Sequence, residues 1–172
     1  SVDRPDGFFV NVHPTPSPYM VGRETLRISG HGHVRERRAG PTFLVSPTAF
    51  FQTNPTAAAM LVALVTEDVG RSPRRVLDLY AGSGLFSIPL ALRGHRVVAV
   101  EDNSASVADA ERNLEANRVD PRSVRLVRAR VEDAVDALAR QPCDHVVLDP
   151  PRQGCAPQVI DTVFRGMRPP VA

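Results

Sequence analysis

Val76-Leu77-Asp78-Leu79-Tyr80-Ala81-Gly82-Ser83-Gly84-Leu85-Phe86 is the stretch on which the reading of this chain turns. Its opening apolar run, interrupted by one Asp, is too short for a helix and reads as a fully buried strand. The run breaks at a glycine-rich turn. Leu85, Ile88 and Leu92 then recur at i, i+3 and i+7, which predicts a helix running to about Arg93 and closed by Gly94. Strand, Gly-x-Gly turn and helix together set free backbone N–H groups at the carboxyl end of a parallel strand. Doubly wound α/β sheets hold nucleotide-like ligands there.

The next acid in a comparable place is Glu101, which ends the run Val97-Val98-Ala99-Val100. It follows the glycines by about twenty residues, the spacing at which a carboxylate accepts hydrogen bonds from a ribose diol. A dinucleotide fingerprint asks for a third glycine, and Ser87 stands where one would fall, so the NAD pattern is incomplete. An acid four residues before the first glycine, Asp78-x-x-x-Gly82-x-Gly84, instead resembles the first motif of class I methyltransferases that use S-adenosyl-L-methionine (AdoMet). The competing reading is a tight strand-to-helix turn that holds no ligand.

Downstream, strands are predicted at 76–80, 96–101, 124–127 and 145–148, alternating with helices, the pattern of a parallel sheet with right-handed crossovers. The second helix is assigned a cap at Ser104 or Ser106 and buries Val107, Ala110 and Leu114. The third follows Arg130 and carries Val135 and Leu138. At its start Asp133 is a candidate for the adenine amine, with Glu132 an equal alternative and a plain helix-capping role the competing reading. The fourth strand ends in Asp149-Pro150-Pro151-Arg152, where two prolines fix the backbone and leave a rigid wall beside the cleft. Amino-methyltransferases that act on bases follow a similar Pro-Pro with an aromatic residue. Arg152 stands there instead, which argues against methylation of an exocyclic amine.

Upstream, Asn54 and Pro55 predict the start of a helix that runs toward Gly70. Apolar residues nearly encircle it, so burial against the sheet is expected. At least one of Phe50 and Phe51 reads as core, and Gln52 as an amide handle for a ligand. Residues 1–46 read differently: short β-rich runs, broken by Pro14-Thr15-Pro16-Ser17-Pro18 and by Gly30-His31-Gly32, predict a small antiparallel β unit. His31 and His33 lack a third ligand nearby and read as a solvated loop.

Composition narrows the function classes. The chain has 172 residues, 42% hydrophobic and 23% charged, and a formal charge of +2. No apolar run approaches the length of a membrane span, and Ser1-Val2-Asp3-Arg4 lacks the apolar core of a secretory signal, so a cytoplasmic setting is expected. All 21 basic residues are Arg. With so small a net charge, an RNA site would have to be a local patch. Cys143 and Cys155 cannot build a zinc or iron–sulfur site by themselves and are expected as free thiols.

Taken together, Phe50-Phe51-Gln52-Thr53-Asn54, Asp78-Leu79-Tyr80-Ala81-Gly82-Ser83-Gly84, Val100-Glu101 and Asp149-Pro150-Pro151-Arg152-x-Gly154 resemble, in order and spacing, the bacterial RNA uracil-C5 methyltransferases. Asn11-Val12-His13 and Gly22-Arg23-Glu24-Thr25 look like the end of that family's central β domain, so 1–46 is assigned to it and 47–172 to an AdoMet-binding domain. The resemblance implies a Rossmann-like class I fold, with Gln52, Asp78, Tyr80, Glu101, Asp133 and Asp149 around AdoMet and Gly82 and Gly84 shaping the turn. Arg152 is a candidate RNA contact. Leu85 departs from the pattern, since some members place a cofactor-contacting Asn there, and so does Ala81, often Cys in relatives.

The chemistry that the resemblance implies needs a Cys thiolate that adds to uracil C6 and makes C5 nucleophilic, and a base that then removes the C5 proton. The family's nucleophile falls on a strand expected after Ala172, so the chain reads as a C-terminally truncated piece without its catalytic residue, and without a metal or cluster. Cys155, close after the Asp-Pro-Pro-Arg loop, is not at the family's position and reads as an inert loop thiol. The implied partner is RNA, ribosomal before transfer RNA, and an unpaired sheet edge invites self-association. The alternatives are an AdoMet- and RNA-binding module without catalysis, or a class I methyltransferase with another target.

Overall fold

A computed structural model describes residues 7–13, 22, 24–37, 40–52 and 54–167. The proline-rich break at 14–18, Arg23, Thr53 and the tail 168–172 lie outside the described residues.

The elements follow in the order β1 (Gly7–Val12), β2 (Glu24–Gly30), β3 (Val34–Arg37), β4 (Thr42–Val45), α1 (Pro55–Val69), β5 (Arg75–Leu79), α2 (Ser87–Leu92), β6 (Arg96–Glu101), α3 (Ser104–Ala116), β7 (Val124–Arg128), α4 (Val131–Leu138), β8 (His145–Leu148) and α5 (Pro157–Ile160). A π-helical turn, Asp161–Met167, continues α5. The four strands β5 to β8 form one parallel sheet in the order β7-β6-β5-β8. The chain therefore steps outward from β5 to β7 and then returns to the other side of β5, which puts the topological switch point at the carboxyl ends of β5 and β8. This is the expected doubly wound α/β sheet.

Alternation along each strand splits the core in two. Val76, Val97, Ala99 and Val147 point into one cluster, beneath α1, α2 and α3. Leu77, Leu79, Val100 and Val146 point into the other, covered by α4 and α5 through Val131, Val135 and Val159. Burial on both faces is why β5 reads as a continuous apolar run.

The N-terminal segment forms two antiparallel hairpins, β1 with β2 and β3 with β4. The second of these joins the main core: Phe43 is fully buried among the sheet residues, and Phe51 packs on it with ring centroids 5.4 Å apart. Strand β4 also lies along α3, on a ladder of side-chain bonds. Ser46 N–H donates to Asp109 Oδ2 (2.7 Å), Leu44 N–H to Asn113 Oδ1 (2.6 Å) and Thr42 N–H to Asn117 Oδ1 (3.0 Å). Asn113 and Asn117 return bonds to the carbonyls of Leu44 and Thr42. Two residues of strand rise about 6.7 Å and four of helix about 6 Å, so one helical turn keeps step with every second strand residue.

Several details depart from the sequence reading. Helix α2 starts at Ser87 rather than Leu85, because Gly82 and Gly84 at φ 56° and 90° keep the preceding residues in turns. Asn103, and neither serine, caps α3 by accepting from the N–H groups of Ala105 and Ser106. Helix α1 is capped by Asn54 as expected, but only one side is buried. Met60, Leu61 and Leu64 are exposed, because the sheet covers only the stripe Ala58, Val62, Val65 and Val69. Strand β3 was not foreseen at all. Of the two phenylalanines, of which at least one was expected in the core, Phe51 packs against it and Phe50 is exposed.

Candidate cofactor-binding site

Strand β5 delivers Asp78 into the core and Tyr80 to its upper end. Asp78 is fully buried; its Oδ2 accepts from Ser87 Oγ at 2.5 Å, while its Oδ1 has no partner among the described residues. Burial is the main cause that pushes its carboxyl up to about 7. The Ser87 hydroxyl opposes this, and the nearby Asp149 and Glu101 carboxylates add to it. Tyr80 sits at φ 63°, in the left-handed region that few non-glycine residues adopt. It turns the chain out of the strand into the glycine loop.

That loop is built around Glu101. Its Oε2 accepts from Gly82 N–H and its Oε1 from Asn103 N–H, each at 2.9 Å. One carboxylate thus ties the glycine turn to the turn after β6. An ionised carboxylate offers about four acceptor positions, so two remain for another donor pair. Desolvation holds the Glu101 carboxyl above its usual range, and the two N–H groups pull against it. At Gly82 a Cβ would meet no atom within 4 Å, so the space above this residue is open. At Gly84 a Cβ would come within 3.1 Å of Ile88 Cδ1, so this glycine serves helix packing.

The Tyr80 hydroxyl donates to Glu132 Oε1 at 3.0 Å, which ties the first turn of α4 to the end of β5. Glu132 also faces the Arg130 guanidinium at 3.5 Å. Burial and the Glu132 carboxylate push the Tyr80 hydroxyl well above its usual range. Of the two acids at this helix start, Glu132 is the one turned toward Tyr80, and Asp133 is exposed beside it. Asp149 follows β8, beside the end of β5, and desolvation raises its carboxyl although the residue is exposed at the rim. Arg152 is exposed in the loop that the Gly154 N–H bond to the Pro151 carbonyl closes at 2.8 Å. Gln52 is half-buried, two residues before the α1 cap.

The geometry therefore gathers Asp78, Tyr80, Gly82, Glu101 and Asp149 at the carboxyl end of the sheet, with Gln52 placed by the turn before α1. Ser87 and Glu132 enter as partners: the first was read only as a missing glycine, the second only as an alternative to Asp133. Asp78, raised by burial and by the nearby Asp149 and Glu101 carboxylates, suits a ligand carrying positive charge. The pair of unused Glu101 acceptor positions suits a diol. A ligand with a ribose and a cationic tail, as AdoMet has, fits both features.

Cys143 and Cys155 are both free. Burial pushes the Cys155 thiol up, the opposite of what a thiolate nucleophile requires. Among the described residues no group of three or more His, Cys, Asp or Glu side chains is placed to hold a metal ion. No described helix is long and apolar enough to cross a membrane.

Comparison with known proteins identifies the family and the fold. The tRNA (uracil-5-)-methyltransferase family model matches residues 28–166. An uncharacterized RNA methyltransferase of Synechocystis sp. is 36% identical over 160 residues, covering 92% of this chain and 34% of the relative. The tRNA (uracil(54)-C(5))-methyltransferase of Pyrococcus abyssi is 34% identical over 161 residues, covering 93% and 37%. The crystal structure of the P. abyssi enzyme in complex with S-adenosyl-L-homocysteine superposes with a TM-score of 0.77 over 94% of this chain and 38% of that one. The Methanocaldococcus jannaschii tRNA m1G37 methyltransferase, at 17% identity and a TM-score of 0.57, shares the fold alone. This chain spans about a third of the length of the curated relatives it matches. The sheet is that of the class I methyltransferases, and the chain belongs to the tRNA (uracil-5-)-methyltransferase family.

Proposed function

We propose that these residues form the AdoMet-binding part of an enzyme that methylates C5 of a uridine in RNA. The observation that carries the proposal is the Glu101 carboxylate, oriented by two backbone N–H groups and still able to accept from two hydroxyls. In this reading Glu101 holds the ribose, while Asp78 and Asp149 supply the negative field for the cationic tail. Gly82 leaves room above the turn. Gln52 and Tyr80 complete the walls, and Asp133 lies at the adenine end. When bound, AdoMet supplies a methyl group made electrophilic by its sulfonium. Residues 1–46 are assigned to the end of a central β domain and 47–172 to the AdoMet-binding domain.

Uracil C5 becomes nucleophilic only after a thiolate adds to C6. The elevated Cys155 thiol is a poor candidate, so we place the nucleophile after Ala172, in a longer chain, and expect the 172 residues to bind AdoMet with little turnover. Arg152, exposed at the mouth, is assigned to RNA, and work on RNA places the protein in the cytoplasm. The sequence reading favours ribosomal RNA, hence rRNA processing, whereas the P. abyssi relative is a tRNA enzyme. Mass spectrometry of both RNA pools from a strain lacking the full gene tests this. Loss of one 5-methyluridine in ribosomal RNA is the expected result. Loss in transfer RNA would move the substrate, and no loss in either pool would overturn the activity.

A further inference from the structure

The other pole of the sheet carries the opposite charge. Strand β5 opens on Arg75 and β6 on Arg96, and these two are register partners. Arg125 on β7 is the partner of Val98, two residues further along β6. Because side chains alternate, all three arginines lie on the face that carries Leu77 and Val98. They line a groove of about 340 Å³ at the amino ends of the strands, together with Arg122 and with Gln141 and Cys143 from the segment before β8.

No carboxylate side chain lines this groove. Arg122 is held by Asp120 through two bonds, Nε to Oδ1 at 3.2 Å and Nη2 to Oδ2 at 3.0 Å. Arg125 reaches only the neutral Gln141 Oε1, at 3.4 Å. Among the described residues Arg75 and Arg96 have no ion-pair partner. All four are exposed. Like charges on neighbouring strands repel. The Asp144 carboxylate nearby accepts from the Arg75 backbone N–H at 2.7 Å and forms no ion pair with a guanidinium of the groove among the described residues. Asp78, Glu101 and Asp149 lie toward the far ends of strands β5, β6 and β8, with Glu132 beside them at the start of α4.

We propose that the groove framed by Arg75, Arg96 and Arg125 is a contact surface for the phosphodiester backbone of RNA, on the pole opposite the cofactor cleft. The proposal rests on the reading of the protein as an RNA methyltransferase. Guanidinium forks match phosphate oxygens bidentately and shed little hydration on doing so, which suits an open groove of this kind. Strands of five or six residues separate the poles by about 17 Å, so a folded RNA offering a uridine at the cleft can pass around the β7 edge to reach the groove.

The test is fluorescence anisotropy of a labelled hairpin RNA with this chain and with the triple variant Arg75→Gln/Arg96→Gln/Arg125→Gln, over a series of salt concentrations. A charge-matched control replaces Arg27, Arg35 and Arg118 by Gln. The triple variant is expected to lose affinity about tenfold or more and to flatten the slope of log K against log salt by about two, since each neutralised phosphate contributes about 0.7–0.9. The control is expected to keep the wild-type slope. Equal slopes for wild type and triple variant, an equal loss in the control, or no RNA binding by the wild type would each overturn the proposal. So would saturation of the groove by millimolar inorganic phosphate with unchanged RNA affinity. Calorimetry with S-adenosyl-L-homocysteine on the same samples keeps the two readings apart. Undiminished heat in the triple variant shows that it is folded, and absent heat in the wild type would tell against the cofactor site while leaving the RNA measurement to stand.

Discussion

The carboxamide of Asn113 treats Leu44 as a neighbouring strand would, accepting from its N–H at 2.6 Å and donating to its carbonyl at 3.2 Å. The same Nδ2 also donates to the Ser83 carbonyl at 3.1 Å, inside the glycine turn. One buried side chain therefore links the β3–β4 hairpin, helix α3 and the cofactor loop. Asn113→Ala leaves three backbone groups without their partner, a loss of about 2–4 kcal/mol. Urea unfolding should show that drop together with weaker AdoMet binding. A stability loss under about 1 kcal/mol would mean that water replaces the amide.

Asp78 makes stability depend on pH with a definite sign. Its carboxyl takes up a proton more readily in the fold, at about 7, than at the ordinary 3.8 of an unfolded chain. Its contribution is therefore most favourable below about pH 4 and is lost as the pH rises toward 7, by roughly 4 kcal/mol in all. Asp149 and Glu101 shift in the same direction. Urea midpoints at pH 5 and pH 8 should differ far less for Asp78→Asn than for the wild type. Parallel behaviour of the two proteins would contradict the assignment.

The same charge governs the ligand. Deprotonated Asp78 attracts a cation, so AdoMet affinity should rise between pH 6 and pH 8, with proton release on binding. Calorimetry in two buffers of different ionisation enthalpy measures that release directly. A flat affinity profile would show that the cationic tail lies away from Asp78.

Strands β7 and β8 end the sheet, and neither outer edge is paired within the described residues. Unpaired edges template pairing with another chain. Self-association that grows with concentration is the expected behaviour in sizing chromatography. A sharp monomer at high concentration would contradict it.

Much of this architecture was readable in the chain because it rests on local signals. The β6 and β8 boundaries follow from apolar runs flanked by polar residues, and the start of α1 follows from Asn54-Pro55, where cap and φ constraint coincide. What was missed depends on distant partners. Val34-Arg35-Glu36-Arg37 becomes a strand only by pairing with β4, since alternating charges carry no apolar period. Asp109, Asn113 and Asn117 at four-residue spacing, beside the apolar stripe of α3, were a signal for the ladder, but the strand whose N–H groups donate to them lies more than sixty residues earlier. The exposed side of α1 was misjudged because apolar composition alone does not tell which half of a helix the sheet covers. At the site, the position of Glu101 at the end of β6 follows from its spacing after the glycines, whereas its two bonds to the Gly82 and Asn103 N–H groups carry no sequence signal. The Glu132–Tyr80 bond needed the fold to bring α4 back to β5.

The account stands most directly on Glu101. Calorimetry with AdoMet should show one site per chain, and Glu101→Ala should weaken it about five- to 150-fold, the 1–3 kcal/mol of a ribose diol left without its acceptor. A folded wild type that gives no heat, or a Glu101→Ala variant that binds as tightly as the wild type, would contradict it.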